Sequence, residues 1–293
     1  MLGPARIIIH TADGTMNIAI ITNTIKDTGF SAAKRTAELI GSRADIFMSD
    51  DCIISDMPGI NYVAYDMLWE NADIAFIIGG DGTMLQAAPH CAKHRIPTLG
   101  INFGKVGFLT EVEPDELENA IDRVLAGQYI TENRMLINMK INGEEHGSHA
   151  LNDIVVAKTE GEKLIGVELY TDNELVNHYA ADGLIIATPT GSTGYSISAG
   201  GPVVDPRMSL YVATPICAHM LSVRSAVLPA DKDIVIRLCN DYPKNSAIVT
   251  ADGEQKAVIT EHDEIRITRS EHEFELIRIG TSSFYNTLIS KLS

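Results

Sequence analysis

The sequence is poor in positive charge, which narrows the partners that the protein can have. Its 23 Lys and Arg residues stand against 39 Asp and Glu residues, giving a formal net charge of −16 at pH 7. Surfaces that bind nucleic acids or anionic membranes owe their affinity to basic patches. We therefore expect neither a nucleic acid nor a membrane among the partners of this chain.

Cysteines and long apolar runs are also scarce. The four cysteines lie far apart and form no CxxC pair, which is typical of reduced thiols in a cytoplasmic protein and not of a disulfide framework or zinc site. No segment approaches the roughly 18 apolar residues of a membrane-spanning helix, and Ile7-Ile8-Ile9 is too short for a secretory signal. The sequence predicts a soluble, cytoplasmic protein.

A P-loop lysine is missing from the most informative segment of the chain. The short apolar run of residues 72–78 predicts a strand buried on both faces, and the sequence GGDGT of residues 79–83 leads from it into a predicted helix. The glycines would let backbone N–H groups approach a phosphate at the helix N-terminus. Asp81 would repel a phosphate, so it indicates a metal ion or a hydroxyl to be deprotonated, unless it is only the helix N-cap.

The pattern of secondary structure changes near residue 128. Upstream, strands alternate with helices, which predicts an α/β domain with a parallel sheet and ligands at the carboxyl ends of its strands. Downstream, short strands and turn signals such as Asn142-Gly143 predict a mostly β, sandwich-like domain. We place the first domain at 1–128, with a loosely held extension over 1–15, and the second at 129–276. Residues 277–293 should return to the first domain, with a helix over residues 283–292 that packs back on it.

Individual elements can be placed as well. Ser31 is expected to cap a helix through about Ile40, and Pro114 to open a helix that ends at Gly127. The predicted strands cover residues 17–22, 44–48, 73–78, 97–102, 135–141, 164–170, 174–179, 234–238, 247–250, 257–260 and 264–268.

Two further segments carry candidate binding groups. In residues 182–202, a strand ends at Pro189 and leads into a small, hydroxyl-rich loop followed by Tyr195. Such a loop suits a heterocycle and a ribose, although a glycine-rich corner between strands would look the same. Asn152 and Asp153 stand at the head of another strand, where they could bind an adenine edge and ribose hydroxyls or form a simple Asx turn.

Taken in this order, the segments resemble those of the NAD kinase family. The resemblance spans roughly residues 16–292 and includes residues 100–110, 200–202, 219–222 and the Phe284-Tyr285 pair. The GGDGT sequence is shared with lipid kinases and phosphofructokinases, whereas residues 188–195 combined with Asn152-Asp153 are more specific. Gly194 stands where the family often has alanine, and Asp153 where many members have glutamate.

The resemblance implies ATP-dependent transfer of a phosphoryl group to the 2′-hydroxyl of the adenosine ribose of NAD. Asp81 would be the catalytic carboxylate, and the glycine-rich turn would face phosphates, with Mg²⁺ bound through the nucleotide phosphates and no dedicated metal cage. A homodimer or homotetramer is the family expectation. The nucleotide-binding residues implied in this way are Gly79, Gly80, Gly82, Thr83, Asn152, Asp153, Asp182, Thr190, Thr193, Gly194 and Tyr195.

Specific roles follow from the same resemblance. Asn152 and Thr193 would hold the adenine, and Asp153 the adenosine ribose. Asp182 and Tyr195 would line the nicotinamide-ribose side, with Thr190 nearby. Two other functions fit parts of the pattern: a lipid kinase with the same GGDGT sequence, and a non-catalytic NAD(P) sensor. The residues leave the donor open between ATP and inorganic polyphosphate, and the acceptor open between NAD and NADH.

Overall fold

The computed structural model describes residues 15–54, 57–102, 107–159, 164–219, 224–239, 246–280 and 283–292. Most of the predicted extension 1–15 lies outside this part of the chain, as do residues 103–106 and 220–222 of the segments that carry the resemblance. The chain divides into two units, one of residues 1–133 and 274–293 and the other of residues 134–273. The domain limits predicted at 128 and 276 fall five and three residues from these divisions and stay a prediction.

The first unit is an α/β structure. Its strands pair in the order β3-β2-β1-β4-β5 and are all parallel. Buried side chains of the central strands pack against the helices, and strand β4 is buried along its whole length, as its apolar sequence predicts. The elements are β1 (Asn17–Thr22), α1 (Ser31–Ile40), β2 (Asp45–Ser49), β3 (Ile60–Val63), α2 (Tyr65–Asn71), β4 (Ile74–Ile78), α3 (Asp81–His94), β5 (Thr98–Ile101) and α4 (Leu117–Leu125).

The second unit is a β sandwich. One sheet has the antiparallel order β13-β12-β11-β8-β15-β16, and the other has the order β10-β9-β14-β17, with β6 and β7 joined to it through β17. Side chains of both sheets form one apolar core. The elements are β6 (Ile130–Ile141), β7 (Glu144–Ala150), β8 (Asp153–Lys158), β9 (Ile165–Thr171), β10 (Glu174–Ala181), β11 (Gly183–Ala187), α5 (Tyr195–Ser198), β12 (Leu210–Ile216), β13 (Ala226–Pro229), β14 (Ile234–Leu238), β15 (Ser246–Ala251), β16 (Glu254–Thr260) and β17 (Glu264–Arg278).

The chain returns to the first unit at its C-terminal end. The last part of β17 pairs in parallel with β5 at Leu276 and Thr98, and helix α6 (Phe284–Leu292) follows. The ring of Phe284 lies 5.9 Å from that of Phe108 in the first unit. The predicted fold class is therefore confirmed, including the C-terminal helix that packs back on the N-terminal unit.

Helix α1 is capped by a different residue from the one predicted. Ser31 is the first residue of the helix, and its hydroxyl donates to the Asp27 carboxylate at 3.3 Å. That carboxylate accepts the N–H groups of Ala32 and Ala33 at 2.9 and 3.0 Å. The prediction for Ser31 was wrong because the carboxylate four residues upstream reaches the free N–H groups and adds the favourable charge of an anion at a helix N-terminus.

Candidate active site

The loops that follow β1 and β4 begin side by side at the carboxyl edge of the parallel sheet. Strand β1 lies between β2 and β4, so the chain leaves β1 toward one side of the sheet and leaves β4 toward the other. The backbone N–H of Asn23, just after β1, donates to the carbonyl of Ile78 at 3.0 Å. Ligands of open α/β sheets bind at such a switch point.

Asp81 is the first residue of α3, but it does not cap that helix. The N-cap position belongs to Gly80, which has no side chain to fill the role. The Asp81 carboxylate instead accepts the backbone N–H of Phe108 through Oδ2 at 2.9 Å and that of Leu109 through Oδ1 at 3.1 Å. These two bonds fix the direction of a half-buried carboxylate at the carboxyl edge of the sheet, which the interpretation of Asp81 as a simple N-cap does not explain.

A glycine allows the carboxylate to occupy this position. A Cβ atom placed on Gly107 would lie 1.7 Å from Asp81 Oδ1, so no other residue at 107 leaves the carboxylate where it is. Gly79 is needed for a similar reason, because a Cβ atom at that position would lie 2.4 Å from Thr83 Oγ1. Thr83 is buried, and its hydroxyl accepts a hydrogen bond from Asn23 Nδ2 at 3.3 Å.

The structure brings one cation to the glycine-rich turn that the sequence did not reveal. Lys26 lies in the loop after β1, and a Cβ atom on Gly80 would be 3.7 Å from its Nζ. The Asn23 side chain holds this loop, because Asn23 Oδ1 accepts the N–H groups of Ile25 and Lys26 at 3.1 and 3.0 Å. A sequence search for a lysine directly after the glycines misses Lys26, which lies 53 residues before Gly79 in the chain.

In the second unit, Asn152 and Asp153 lie against the hydroxyl-rich loop. Strand β11 pairs with β8 so that Ala187 faces Asp153, and the chain continues directly into the loop. The Thr188 N–H donates to the Asn152 carbonyl at 2.8 Å. A Cβ atom on Gly191 would lie 2.0 Å from the same carbonyl oxygen, so this glycine permits the close approach.

A third residue, Asp252, holds the Asn152-Asp153 segment in place. Its carboxylate accepts the backbone N–H groups of Leu151, Asn152 and Asp153 at 2.7, 2.8 and 3.1 Å. Burial, and then the nearby Asp252 carboxylate, raise the pKa of Asp153 to about 7. The pKa of Asp252 is also raised, chiefly by burial. The sequence marks Asp252 only as a residue of an Asp-Gly turn, so its role could not be seen before the fold was known.

The remaining loop residues differ in exposure. Thr190 is buried, and its Oγ1 accepts a hydrogen bond from the buried Arg134 at 3.5 Å. Thr193 donates to the Thr190 carbonyl at 3.2 Å. A Cβ atom on Gly194 would lie 3.6 Å from Asn152 Nδ2, and Tyr195, at the start of α5, is 48% exposed. The loop thus presents one accessible ring beside small residues that contact the Asn152 segment.

Asp182 is separated from the other candidate residues of its unit. It precedes β11, whereas Thr190 follows the end of that strand, so the two lie at opposite ends of a five-residue strand about 17 Å long. Its Oδ1 forms an ion pair with Lys158 Nζ at 2.7 Å. The structure therefore groups Asn152 and Asp153 with the loop around Thr190, but it does not bring Asp182 to them within one chain.

Within the described ranges, no group of three or more His, Cys, Asp or Glu side chains is placed to hold a metal ion. In that same part of the chain, no helix combines the length and apolar character needed to span a membrane.

Comparison with known families gives the same assignment for both units. A family model described as the ATP-NAD kinase N-terminal domain matches residues 18–129, and one described as the ATP-NAD kinase C-terminal domain matches residues 151–279. The chain belongs to the NAD kinase family. It is accordingly an enzyme that transfers phosphate, and the predicted family and enzyme class are confirmed.

Individual relatives agree with this assignment. The chain is 43% identical to an NAD kinase of Moorella thermoacetica over 217 residues, which cover 73% of this chain and 69% of the relative. It is 36% identical to an NAD kinase of Carboxydothermus hydrogenoformans over 252 residues, which cover 85% and 89% of the two chains.

Solved structures share the fold. An NAD kinase from Archaeoglobus fulgidus in complex with ATP superposes with a TM-score of 0.72 at 27% identity, over 94% of this chain and 98% of the other. Yeast NADH kinase complexed with NADH superposes with a TM-score of 0.84 at 22% identity, over 96% and 88% of the two chains, and supports the fold alone.

Proposed function

We propose that this protein transfers the γ-phosphoryl group of ATP to the 2′-hydroxyl of the adenosine ribose of NAD, giving NADP and ADP. A bond forms between the 2′-oxygen and the γ-phosphorus, and the bond from that phosphorus to the β,γ-bridging oxygen breaks. The proton of the hydroxyl passes to the Asp81 carboxylate. Family membership supports the reaction, and the geometry around Asp81 supports the role of that residue.

The single observation that carries the proposal is the fixed orientation of Asp81. Each carboxylate oxygen has two lone pairs, and the bonds from Phe108 and Leu109 use one on each oxygen. Each oxygen can therefore still accept a hydrogen bond from a substrate hydroxyl. Phosphoryl transfer depends mostly on positioning and charge neutralisation, with a carboxylate that orients the nucleophile, and a carboxylate held by two backbone groups suits that task.

The glycine-rich turn is proposed to face the phosphates. Gly79, Gly80, Gly82 and Thr83 stand at the N-terminus of a 14-residue helix, where backbone N–H groups and the helix dipole favour an anion. Mg²⁺ would arrive bound to the oxygens of the nucleotide phosphates, since it usually takes few protein ligands, and would neutralise charge on the transferred group.

The adenosine of NAD is assigned to the second unit. We propose that Asn152 and Thr193 hold the adenine and that Asp153 binds the ribose, with Gly194 leaving room between them. Their support is the contact of the loop with the Asn152 segment and the three hydrogen bonds from that segment to Asp252. The nicotinamide-side roles of Asp182, Thr190 and Tyr195 rest on family resemblance.

The test is incubation with NAD, ATP and Mg²⁺, with NADP read through a strictly NADP-dependent dehydrogenase. Asp81→Asn should lower kcat by at least about 100-fold, the size of effect expected for a lost general base, with NAD binding retained. Asp66→Asn is the matched control, because Asp66 is also in the first turn of a helix of this unit but is exposed. NAD(P) binding without NADP formation by the wild type would favour a sensor, and a protein with neither property would direct attention to lipid acceptors.

Exposed apolar side chains on two edge strands bear on the assembly of the protein. We propose that the protein is a homodimer or homotetramer, because Val227 and Val258 are more than half exposed on β13 and β16, the outermost strands of one sheet. Apolar edge strands of this kind are usually covered. Sedimentation of the purified protein as a monomer at micromolar concentration would contradict the assembly. A cytoplasmic location is proposed from the four scattered cysteines, which form no CxxC pair.

A further inference from the structure

The last residue of β17 brings a cation to the loop that holds Asp81. Arg278 belongs to the first unit, and only 17% of its side chain is exposed. Its three nitrogens donate to three partners: Nε to Glu132 Oε2 at 3.3 Å, Nη1 to Glu111 Oε2 at 3.4 Å and Nη2 to the Phe108 carbonyl at 3.5 Å. The donors of a guanidinium lie in one plane with fixed directions, so three partners give the group a single orientation.

The Glu111 carboxylate fixes this cation relative to the parallel sheet. Only 9% of the Glu111 side chain is exposed, and its Oε1 accepts the N–H groups of Ile279 and Gly280 at 3.0 and 2.6 Å. The backbone N–H of Glu111 donates to the carbonyl of Gly100, within β5, at 3.0 Å. The residues on both sides of the ion pair are therefore held, and Arg278 is not at the end of a loose segment.

One peptide group connects Arg278 with Asp81. The Phe108 carbonyl accepts a hydrogen bond from Arg278. The N–H of the same peptide bond, which is that of Leu109, donates to Asp81 Oδ1 at 3.1 Å. In a planar trans peptide group the C=O and N–H point in opposite directions, so a partner that holds the carbonyl also sets the direction of the N–H. The positive charge at the carbonyl further polarises the group and strengthens the N–H as a donor.

We propose that Arg278 is a positioning residue for phosphoryl transfer, which holds the peptide group whose N–H fixes the Asp81 carboxylate. This inference rests on the proposed function and deepens it, because it adds a residue that acts on the reaction through Asp81. Arg278 is 170 residues from Phe108 in the chain, so the end of β17 completes a site that begins in the N-terminal segment.

Two substitutions separate positioning from a contribution to stability alone. Arg278→Lys keeps a positive charge between the two carboxylates, which attract an ammonium more strongly than the neutral Phe108 carbonyl does. It should keep the fold but lose the contact with the peptide group, since an ammonium lacks the planar fork of donors. Arg278→Met also removes the charge and should lower thermal stability. Arg43→Lys is the matched control, because Arg43 likewise binds one carboxylate, that of Asp122, and two backbone carbonyls in the first unit.

The kinetic effect should fall on kcat. Asp81 keeps its bond from Phe108 in Arg278→Lys, so we expect kcat to fall about 10-fold, less than the roughly 100-fold of a full 1 Å displacement. KM for ATP and NAD should stay within about 2-fold, and the melting temperature within about 3 °C. In an Asp81→Ala background, Arg278→Lys should change the residual activity by less than about 2-fold. Arg43→Lys should match the wild type.

Amide hydrogen exchange, followed by NMR, measures the peptide group without reference to activity. Exchange at the Leu109 N–H should be at least about 10-fold faster in Arg278→Lys than in the wild type or Arg43→Lys. An unchanged kcat, an unchanged Leu109 exchange rate, or losses that multiply with Asp81→Ala would each overturn the inference. So would an Arg278→Lys protein that loses stability in step with its activity, because Arg278 would then only hold the fold. Failure of the proposed function shows differently, as a wild type that forms no NADP although its Leu109 N–H is protected.

Discussion

Replacing Gly107 by alanine should remove most of the activity without unfolding the protein. The new Cβ atom would lie 1.7 Å from Asp81 Oδ1 and 2.5 Å from Oδ2, so the carboxylate must move by more than 1 Å to reach ordinary contact distance. That movement breaks its bonds to the N–H groups of Phe108 and Leu109. The backbone of residue 107 has no positive φ angle, so alanine is not strained there for any other reason.

The magnitude follows from the size of this displacement. Hydrogen bonds to charged groups contribute about 1.5–3 kcal/mol each, but water can replace them at a half-buried carboxylate, so a loss of about 1–3 kcal/mol of stability is expected. A shift of 1 Å in a reacting group can cost about 100-fold in rate. We therefore expect kcat to fall about 100-fold, with KM for ATP and NAD changed by less than about 3-fold. The dehydrogenase-coupled assay measures the rate, and thermal unfolding measures the stability.

A double-mutant cycle shows whether Gly107 acts through Asp81. Asp81→Ala removes the atoms that the new Cβ atom would strike, so Gly107→Ala should reduce the residual activity of that variant by less than about 3-fold. If the two losses multiply, or if Gly107→Ala alone keeps more than about a third of the wild-type kcat, the proposed dependence on the Asp81 orientation is wrong.

Three further predictions concern the second unit. The pKa of Asp153 is raised from 3.8 to about 7, so between these pH values the folded state binds more protons than the unfolded state. The free energy of unfolding should therefore be highest at low pH and fall by up to about 4 kcal/mol as the pH rises from about 4 to 7. Thermal unfolding of Asp153→Asn should show a smaller loss over that range, and parallel curves for the two proteins would contradict this. Asp252→Ala should raise KM for NAD about 10-fold or more and leave KM for ATP unchanged, since it releases the three N–H groups of the Asn152 segment, and equal changes in both values would refute that role. Gly191→Ala should weaken the affinity for NAD, measured by calorimetry, at least about 10-fold, because its Cβ atom would lie 2.0 Å from the Asn152 carbonyl. An unchanged affinity would show that the loop can shift to accept the methyl group.

Local patterns predicted most of the secondary structure. The β1 limits agree residue for residue, and the Asn142-Gly143 turn has the two positive φ angles, 52° and 84°, that its sequence indicates. Strands β3, β12 and β13 and helix α2 are among the elements that were not predicted. Strand β3 has four residues and no fully buried side chain, so it lacks the apolar alternation that marks a strand. Helix α2 has seven residues, too few for a clear helical period.

The candidate site was predicted only where its residues are close in the sequence. Residues 79–83 carry their own signal, because the glycines and Asp81 follow a buried strand directly. The supporting groups are different, since Phe108 and Leu109 reach Asp81 across 27 and 28 residues and Asp252 reaches Asn152 across 100. A sequence pattern shows that such groups exist, but it cannot show which of the many Asp and Gly residues they will meet.

The position of Lys26 shows what information was missing. Strands β1 and β4 pair in parallel so that Thr22 faces Ile78, and the residues that follow each strand therefore begin at the same level of the sheet. Lys26 is the fourth residue after β1, and Gly80 is the second after β4, so the pairing alone brings the lysine loop to the glycine-rich turn. Given the order of the strands and this register, the cation could have been inferred from the printed sequence. It was missed because parallel strands are joined by long crossovers whose partner strands a local pattern does not specify.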